Sequence, residues 1–206
     1  MKKTVTFVTF LFFYSTSWGQ TKKDLNIDFM LEGNIYAQSS IVDTAALGGF
    51  GRSDNAPKKY NDHLNSAFKE LLIQIDTSQV ATINNKYNGY KLFIGNRSDT
   101  TAKFDASDSR LYVVAEILYK DKWQPIEYLS GSSCGNSYHC VFLKQNEYWE
   151  FNVPKFDGQI KTKLRYRLEI GKEKYIYSNE INTAINEGQL IAKRGQQNES
   201  MNPYYD

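Results

Sequence analysis

The sequence predicts an all-β antiparallel sandwich. Three observations carry that expectation: short strand-like runs recur at regular spacing, the clearest of them alternate apolar and polar residues, and the composition suits a pleated sheet. The chain has 206 residues, including 15 Tyr and 12 Phe but only 4 Pro, a length within the range of one domain. Aromatic and β-branched side chains pack well on a pleated surface and bury large areas.

Taken in order, residues 1–19 read as a secretion signal. Lys2 and Lys3 precede an apolar run from Val5 to Tyr14, followed by Ser15-Thr-Ser-Trp-Gly-Gln20, with cleavage expected near Gly19-Gln20. The run is about half of the ~20 residues that a helix needs to cross a bilayer. Neither a transmembrane helix nor a lipid anchor is expected in the mature chain, since no Cys follows the run and no second long apolar stretch occurs. The mature protein is expected in the periplasm or outside the cell.

Residues 20–64 show no steady period and are expected to be irregular, with a weak strand over Asn26–Tyr36. Loop chemistry lies between Ala46 and Lys59, where Gly48-Gly-Phe-Gly51, Asp54-Asn55 and Pro57 fall together. Leu64, Phe68, Leu71 and Leu72 suggest a helical turn feeding a strand. The sandwich domain is expected over residues 65–187, with a polar tail over 188–206. Its strands are expected at Leu71–Asp76, Tyr90–Asn96, Arg110–Tyr119, Trp123–Leu129, Tyr138–Lys144, Glu147–Val153, Ile160–Ile170 and Tyr175–Asn182. Turn signals separate them, among them Asn88-Gly89, Lys120-Asp-Lys122, Gly131 to Gly135, Asp157-Gly158 and Gly171-Lys172. Within Ile160–Ile170, Leu164, Tyr166, Leu168 and Ile170 oppose Lys161, Lys163, Arg165, Arg167 and Glu169, as in a sheet with one wet face. Trp149, Phe151 and Val153 oppose Tyr148, Glu150 and Asn152 in the same way. Arg110–Tyr119 is apolar on both faces, the pattern of a central strand covered on both sides.

The region from Leu71 to Asn182 resembles secreted bacterial immunoglobulin-like or fibronectin-III-like sandwich domains, through its strand order. Trp123-Gln-Pro-Ile-Glu127, Cys134-Gly-Asn-Ser-Tyr138, and Thr162-Lys-Leu-Arg165 followed by Tyr177-Ser-Asn-Glu-Ile181 are also similar to stretches of uncharacterised exported proteins. That resemblance implies an Ig-like sandwich and export, and no activity. The two cysteines, however, lie too close in sequence to bridge two sheets as in antibody domains.

In an oxidising compartment the pair Cys134 and Cys140 is expected to form a disulfide closing a short loop, worth about 2 kcal/mol on chain-entropy grounds. A zinc site built on Cys134, His139 and Cys140 is not expected, because no fourth ligand has the spacing and a strand sends His139 and Cys140 to opposite faces. His63 lies in the irregular region. The chain has no Gly-x-Ser-x-Gly elbow, and Gly48-Gly-Phe-Gly51 lacks the Lys-Ser/Thr ending of a phosphate loop. Asp99, Asp105 and Asp108 lack the ligand spacing of an EF-hand.

Formal net charge is +2, and removing Lys2 and Lys3 leaves the rest near neutral, so nucleic acid is not an expected partner. No cofactor is expected. Trp123, Tyr128, Tyr138, Tyr148, Tyr175 and Tyr177 are candidates for an exposed aromatic platform, and Lys161, Lys163, Arg165 and Arg167 form a basic stripe. The candidate binding surface is Trp123, Asn136, Tyr138 and His139, beside the Cys134–Cys140 loop. These readings favour a non-enzymatic interaction domain with a protein partner. The alternatives are a carbohydrate-binding module using exposed aromatics, or a hydrolase in which two carboxylates, drawn from residues such as Asp105, Asp108, Glu116 and Glu127, converge in a cleft.

Overall fold

A computed structural model describes residues 21–60 and 70–192, which are built almost wholly of strands and short turns. The expected secretion signal, the helical turn expected near Leu64 and most of the expected polar tail lie outside the described residues. The chain begins with three short pieces, β1 (Leu25–Asn26), β2 (Leu31–Glu32) and β3 (Lys58–Lys59). Two long strands follow, β4 (Leu71–Ile83) and β5 (Tyr87–Asn96). Next come β6 (Ala102–Ser107), β7 (Arg110–Leu111), β8 (Val113–Tyr119), β9 (Lys122–Pro125) and β10 (Glu127–Tyr128). The second half holds β11 (Tyr138–Leu143), β12 (Glu147–Pro154), β13 (Phe156–Asp157), β14 (Ile160–Gly171), β15 (Lys174–Tyr177) and β16 (Ile181–Ile185).

The longer strands form antiparallel sheets around one core. One sheet runs β3-β12-β5-β4, a second β15-β14-β8-β9, and a third β11-β6-β7. In the second, β15 and β16 both pair with β14, at Arg167–Gly171 and Ile160–Leu164 respectively. The expected all-β sandwich is the architecture found, and the alternation predicted along β14 sets its faces. Leu164, Tyr166 and Leu168 point inward with at most 2% of their surface exposed. They join Ile73, Ile75, Leu92, Ile94, Trp149 and Val153 of the first sheet in a single cluster. The indole Nε1–H of buried Trp149 donates to the Gln38 carbonyl at 2.9 Å, and Phe104 of the third sheet meets its ring edge-on.

Side-chain hydrogen bonds close gaps that the ladders leave. Asn179 sits in the break between β15 and β16, where the sequence suggested one continuous strand. Its side-chain amide accepts from Ile75 N–H at 2.7 Å and donates to Ile75 O at 3.1 Å. This Asn therefore satisfies both backbone groups of Ile75 and ties β4 to the second sheet.

Other differences have identifiable causes. Asn88-Gly89 reads as a turn, yet it lies inside β5. The reversal instead uses Asn84 and Asn85, at φ 46° and 56°, because Asn tolerates left-handed geometry better than most residues. Ala102–Ser107 is a strand although its aspartate disguised it: Phe104 and Ala106 are buried while Lys103 and Asp105 are exposed. The segment expected to be irregular also enters the core. Leu25, Leu31, Ile35 and Ala37 are at most 5% exposed, with β1 paired parallel to β13 and β2 parallel to β10. Two-residue ladders carry no readable period, so this docking leaves little trace in the local sequence.

Candidate functional site

The outer face of the β14 sheet carries a row of interleaved rings and guanidinium groups. Since Leu164, Tyr166 and Leu168 fill the core, Lys163, Arg165 and Arg167 project outward. Register places Glu116 of β8 opposite Arg165, Trp123 of β9 opposite Leu118, and Tyr177 and Tyr175 of β15 opposite Arg167 and Glu169. All of these side chains share one face.

Glu116 forms the floor. It is 3% exposed, and a buried carboxylate without a cation is strongly unfavourable. Arg165 donates to Glu116 Oε2 through Nε at 3.0 Å and Nη2 at 2.9 Å, and Arg167 Nη1 lies 3.1 Å from Oε1. The expectation that β8 is covered on both faces therefore holds in an unforeseen way. Its outer face lies under arginine side chains rather than under another sheet.

The arginines are held from above by rings. Arg165 Cζ lies 4.1 Å from the centre of the Trp123 ring and 3.9 Å from that of Tyr177. Two rings at those distances must occupy opposite faces of the planar guanidinium, an arrangement that fixes all three side chains. Arg167 lies 4.8 Å from the Tyr175 ring. Tyr175 and Tyr177 remain 37% and 46% exposed, so the row is accessible. Two arginines face Glu116, Lys163 is paired with Glu180 at 2.7 Å, and Glu169 lies opposite Tyr175 on the same face, so the charges of the row balance.

The residues proposed as a binding surface are divided between two places. Trp123 belongs to the arginine row. Asn136, Tyr138 and His139 lie at the third sheet, near the turn Gly135–Ser137. There Tyr138 is exposed and its hydroxyl donates to Ser132 O at 2.9 Å. His139 is a correction to that surface: it is buried, with the Phe50 ring stacked on it at 3.7 Å. Burial holds its imidazole below the usual pKa. The loop around Phe50 is pinned by Gly51 N–H donating to Asp108 Oδ1 at 2.7 Å and by Ser109 Oγ donating to Gly51 O at 2.8 Å. Tyr148, another candidate for the platform, is buried between Tyr60 and Phe93.

The expected Cys134–Cys140 disulfide is not formed in the structure; both residues are free thiols. Cys134 sits exposed at the start of the turn. Cys140 lies on β11, and its Sγ lies 3.7 Å from Asp105 Oδ1, across the register with β6. Among the described residues, no group of three or more His, Cys, Asp or Glu could hold a metal ion.

A second concave feature contains Glu127, one of the carboxylates considered for the hydrolase reading. A cavity of about 340 Å³ lies between β2, the β4 end, β10 and β12, lined by Leu31, Glu32, Ile83, Glu127 and Val153 among others. Glu127 is 6% exposed, and burial raises its carboxyl from 4.5 to about 7, against the lowering effect of the Ala115 N–H that it accepts. Glu32, in the same wall, is held by Arg110 Nη1 at 2.7 Å and by the Ser130 hydroxyl.

The sequence held a signal for Glu116 and Glu127 that composition alone does not reveal. A single carboxylate within an apolar strand demands a cation or a neutral proton, and for Glu116 the cation stands on the paired strand. Comparison with protein-family models, curated proteins and solved structures finds no match to this chain. Among the described residues, no helix is long and apolar enough to cross a membrane.

Proposed function

We propose that this chain is an exported, non-enzymatic interaction domain of the cell envelope or extracellular space that engages a protein partner through the Trp123–Arg165–Tyr177 face. The observation that carries this reading is the double stacking of Arg165 over a buried Glu116. Trp, Tyr and Arg are the side chains that dominate interface hot spots, and here they are ordered before any partner arrives, which lowers the entropy cost of association. Export rests on the pattern of residues 1–19.

The competing readings have less support. A sugar-binding platform needs free aromatic faces, but Trp123 and Tyr177 each direct one face at Arg165. A carboxylate hydrolase needs two available carboxylates, but Glu32 beside Glu127 is held by Arg110 and Ser130.

The test is site-specific photo-crosslinking in the native host with a benzoylphenylalanine at position 175 and, as control, at position 79. A discrete protein adduct at 175 that disappears when Trp123→Ala and Tyr177→Ala are combined supports the reading. Identical adducts at both positions, or an adduct indifferent to the double substitution, refutes it.

A further inference from the structure

We propose that the cavity beneath β10 is a binding site for an alkylammonium group, with Glu127 as its anionic partner. The argument begins with an unusual ladder. β8 and β9 pair as far as Glu116 and Pro125, and Ile126 N–H then donates to Ala115 O at 2.9 Å. Ala115 N–H has no backbone acceptor there and donates instead to Glu127 Oε2 at 2.9 Å. A buried N–H requires an acceptor, but a Gln carbonyl serves that need equally well. The structural task therefore uses one oxygen and leaves the second without explanation.

That second oxygen, Oε1, accepts no hydrogen bond from the described residues, and Glu127 forms part of the cavity wall. The neighbouring acceptors have the same polarity. Glu32 Oε1 takes Arg110 and Ser130, while no donor reaches its Oε2 among the described residues. Leu31, Ile35, Ile83 and Val153 supply apolar surface around this acidic end, and no Lys, Arg or His lines the cavity. A ligand with a cationic N–H donor at one end and a short hydrocarbon at the other matches both halves of the wall. A free aliphatic amine and a lysine side chain share that chemistry.

Ionisation of Glu127 controls this site, since only the carboxylate attracts an ammonium. The surrounding charges are otherwise engaged. Arg110 is held by Glu32, Glu116 faces Arg165 and Arg167, and Glu150 is paired with Lys58 and Lys91. On the neighbouring segments Lys155 is paired with Asp24, and Asp76 is bonded to Ser78.

The experiment titrates butylammonium chloride into the protein and follows the methyl resonances of Ile35 and Ile83. Parallel titrations use n-butanol and N-acetyl-lysine N-methylamide. Saturable shifts with butylammonium but not with butanol are expected, weakening about tenfold for each pH unit below about 7. Glu127→Gln, which preserves the acceptor for Ala115 N–H, should weaken binding at least tenfold. Tighter binding of the lysine derivative assigns the site to a lysine side chain, and weaker binding assigns it to a free amine. Equal binding of butanol, non-saturable shifts, or full affinity in Glu127→Gln overturns the proposal. In the unaltered protein, bound amine must also lower the titration midpoint of the Glu127 carboxyl, and an unmoved midpoint overturns the proposal independently of the variant.

Discussion

Replacing Glu127 with Gln should stabilise the protein in alkaline solution and leave it nearly unchanged in acid. Burial favours the neutral carboxyl, so the folded chain holds this proton up to about pH 7, whereas an unfolded chain releases it near 4.5. Between those values the native state binds more protons than the unfolded state, and stability falls as pH rises. The contribution is fully present below the unfolded value and is lost as the folded value is passed. At about 1.4 kcal/mol per pH unit, the interval corresponds to roughly 3 kcal/mol. Gln retains an acceptor for Ala115 N–H and does not titrate, so this loss should be absent from the variant. Urea unfolding of both proteins at a series of pH values, compared as a difference, isolates Glu127 from every other group. The difference should be small near pH 4 and grow to the order of 3 kcal/mol in favour of Gln above pH 8. A difference that stays constant with pH, or one that favours Glu in alkali, would show that the Glu127 carboxyl is not held neutral by burial.

Four further outcomes follow from the same contacts. Arg165→Ala should cost about 3 kcal/mol in urea unfolding by leaving Glu116 with one cation and uncovering two rings, and Arg165→Lys should recover little of it, since an ammonium cannot stack flat. Trp149→Ala should cost about 3–5 kcal/mol, read as a lowered melting temperature, because a fully buried indole and its bond to Gln38 are lost together. Phe50→Ala should raise the NMR titration midpoint of His139 toward its ordinary value, because the ring that desolvates the imidazole is gone. Alkylation without prior reduction should label Cys134 before Cys140, whose thiol is raised by burial, with mass spectrometry locating each adduct; protection of both until reduction would instead indicate a disulfide.

The fold was legible wherever a strand is long and has one wet face. Along β14 and β12, apolar residues at every second position determine the burial pattern, with little competition from other influences. Tyr148 departs from that rule because Tyr60 and Phe93 cover the second face of β12 locally. The parallel contacts of Leu25 and Leu31 were not legible, because they depend on partners more than 90 residues away in sequence. Parts of the aromatic row could be seen separately: the basic stripe, Trp123, and Tyr175 with Tyr177 all stood out. What joins them is register, which sets Glu116 opposite Arg165 and is fixed by pairing rather than by local composition. The acidic cavity was harder to foresee, since Glu127 differs from a solvated glutamate only through what packs around it.

The short parallel ladders near the start of the chain also bear on the order of folding. Leu25 pairs with Phe156 and Leu31 with Glu127, whereas most of the main hairpins close over only a few residues. Closing the larger loops costs more chain entropy before any contact repays it. The hairpins can thus form while residues 21–37 are still searching, and this segment docks late, across the ends of sheets already assembled. The partners of this segment are spread along the chain: Lys23 O accepts from Asn88 N–H and Ile35 O from Leu111 N–H, whereas Leu31 pairs with Glu127 and Leu25 only with Phe156. Its burial is therefore complete only once the strand holding Phe156 is in place, although its other anchors lie much nearer in sequence.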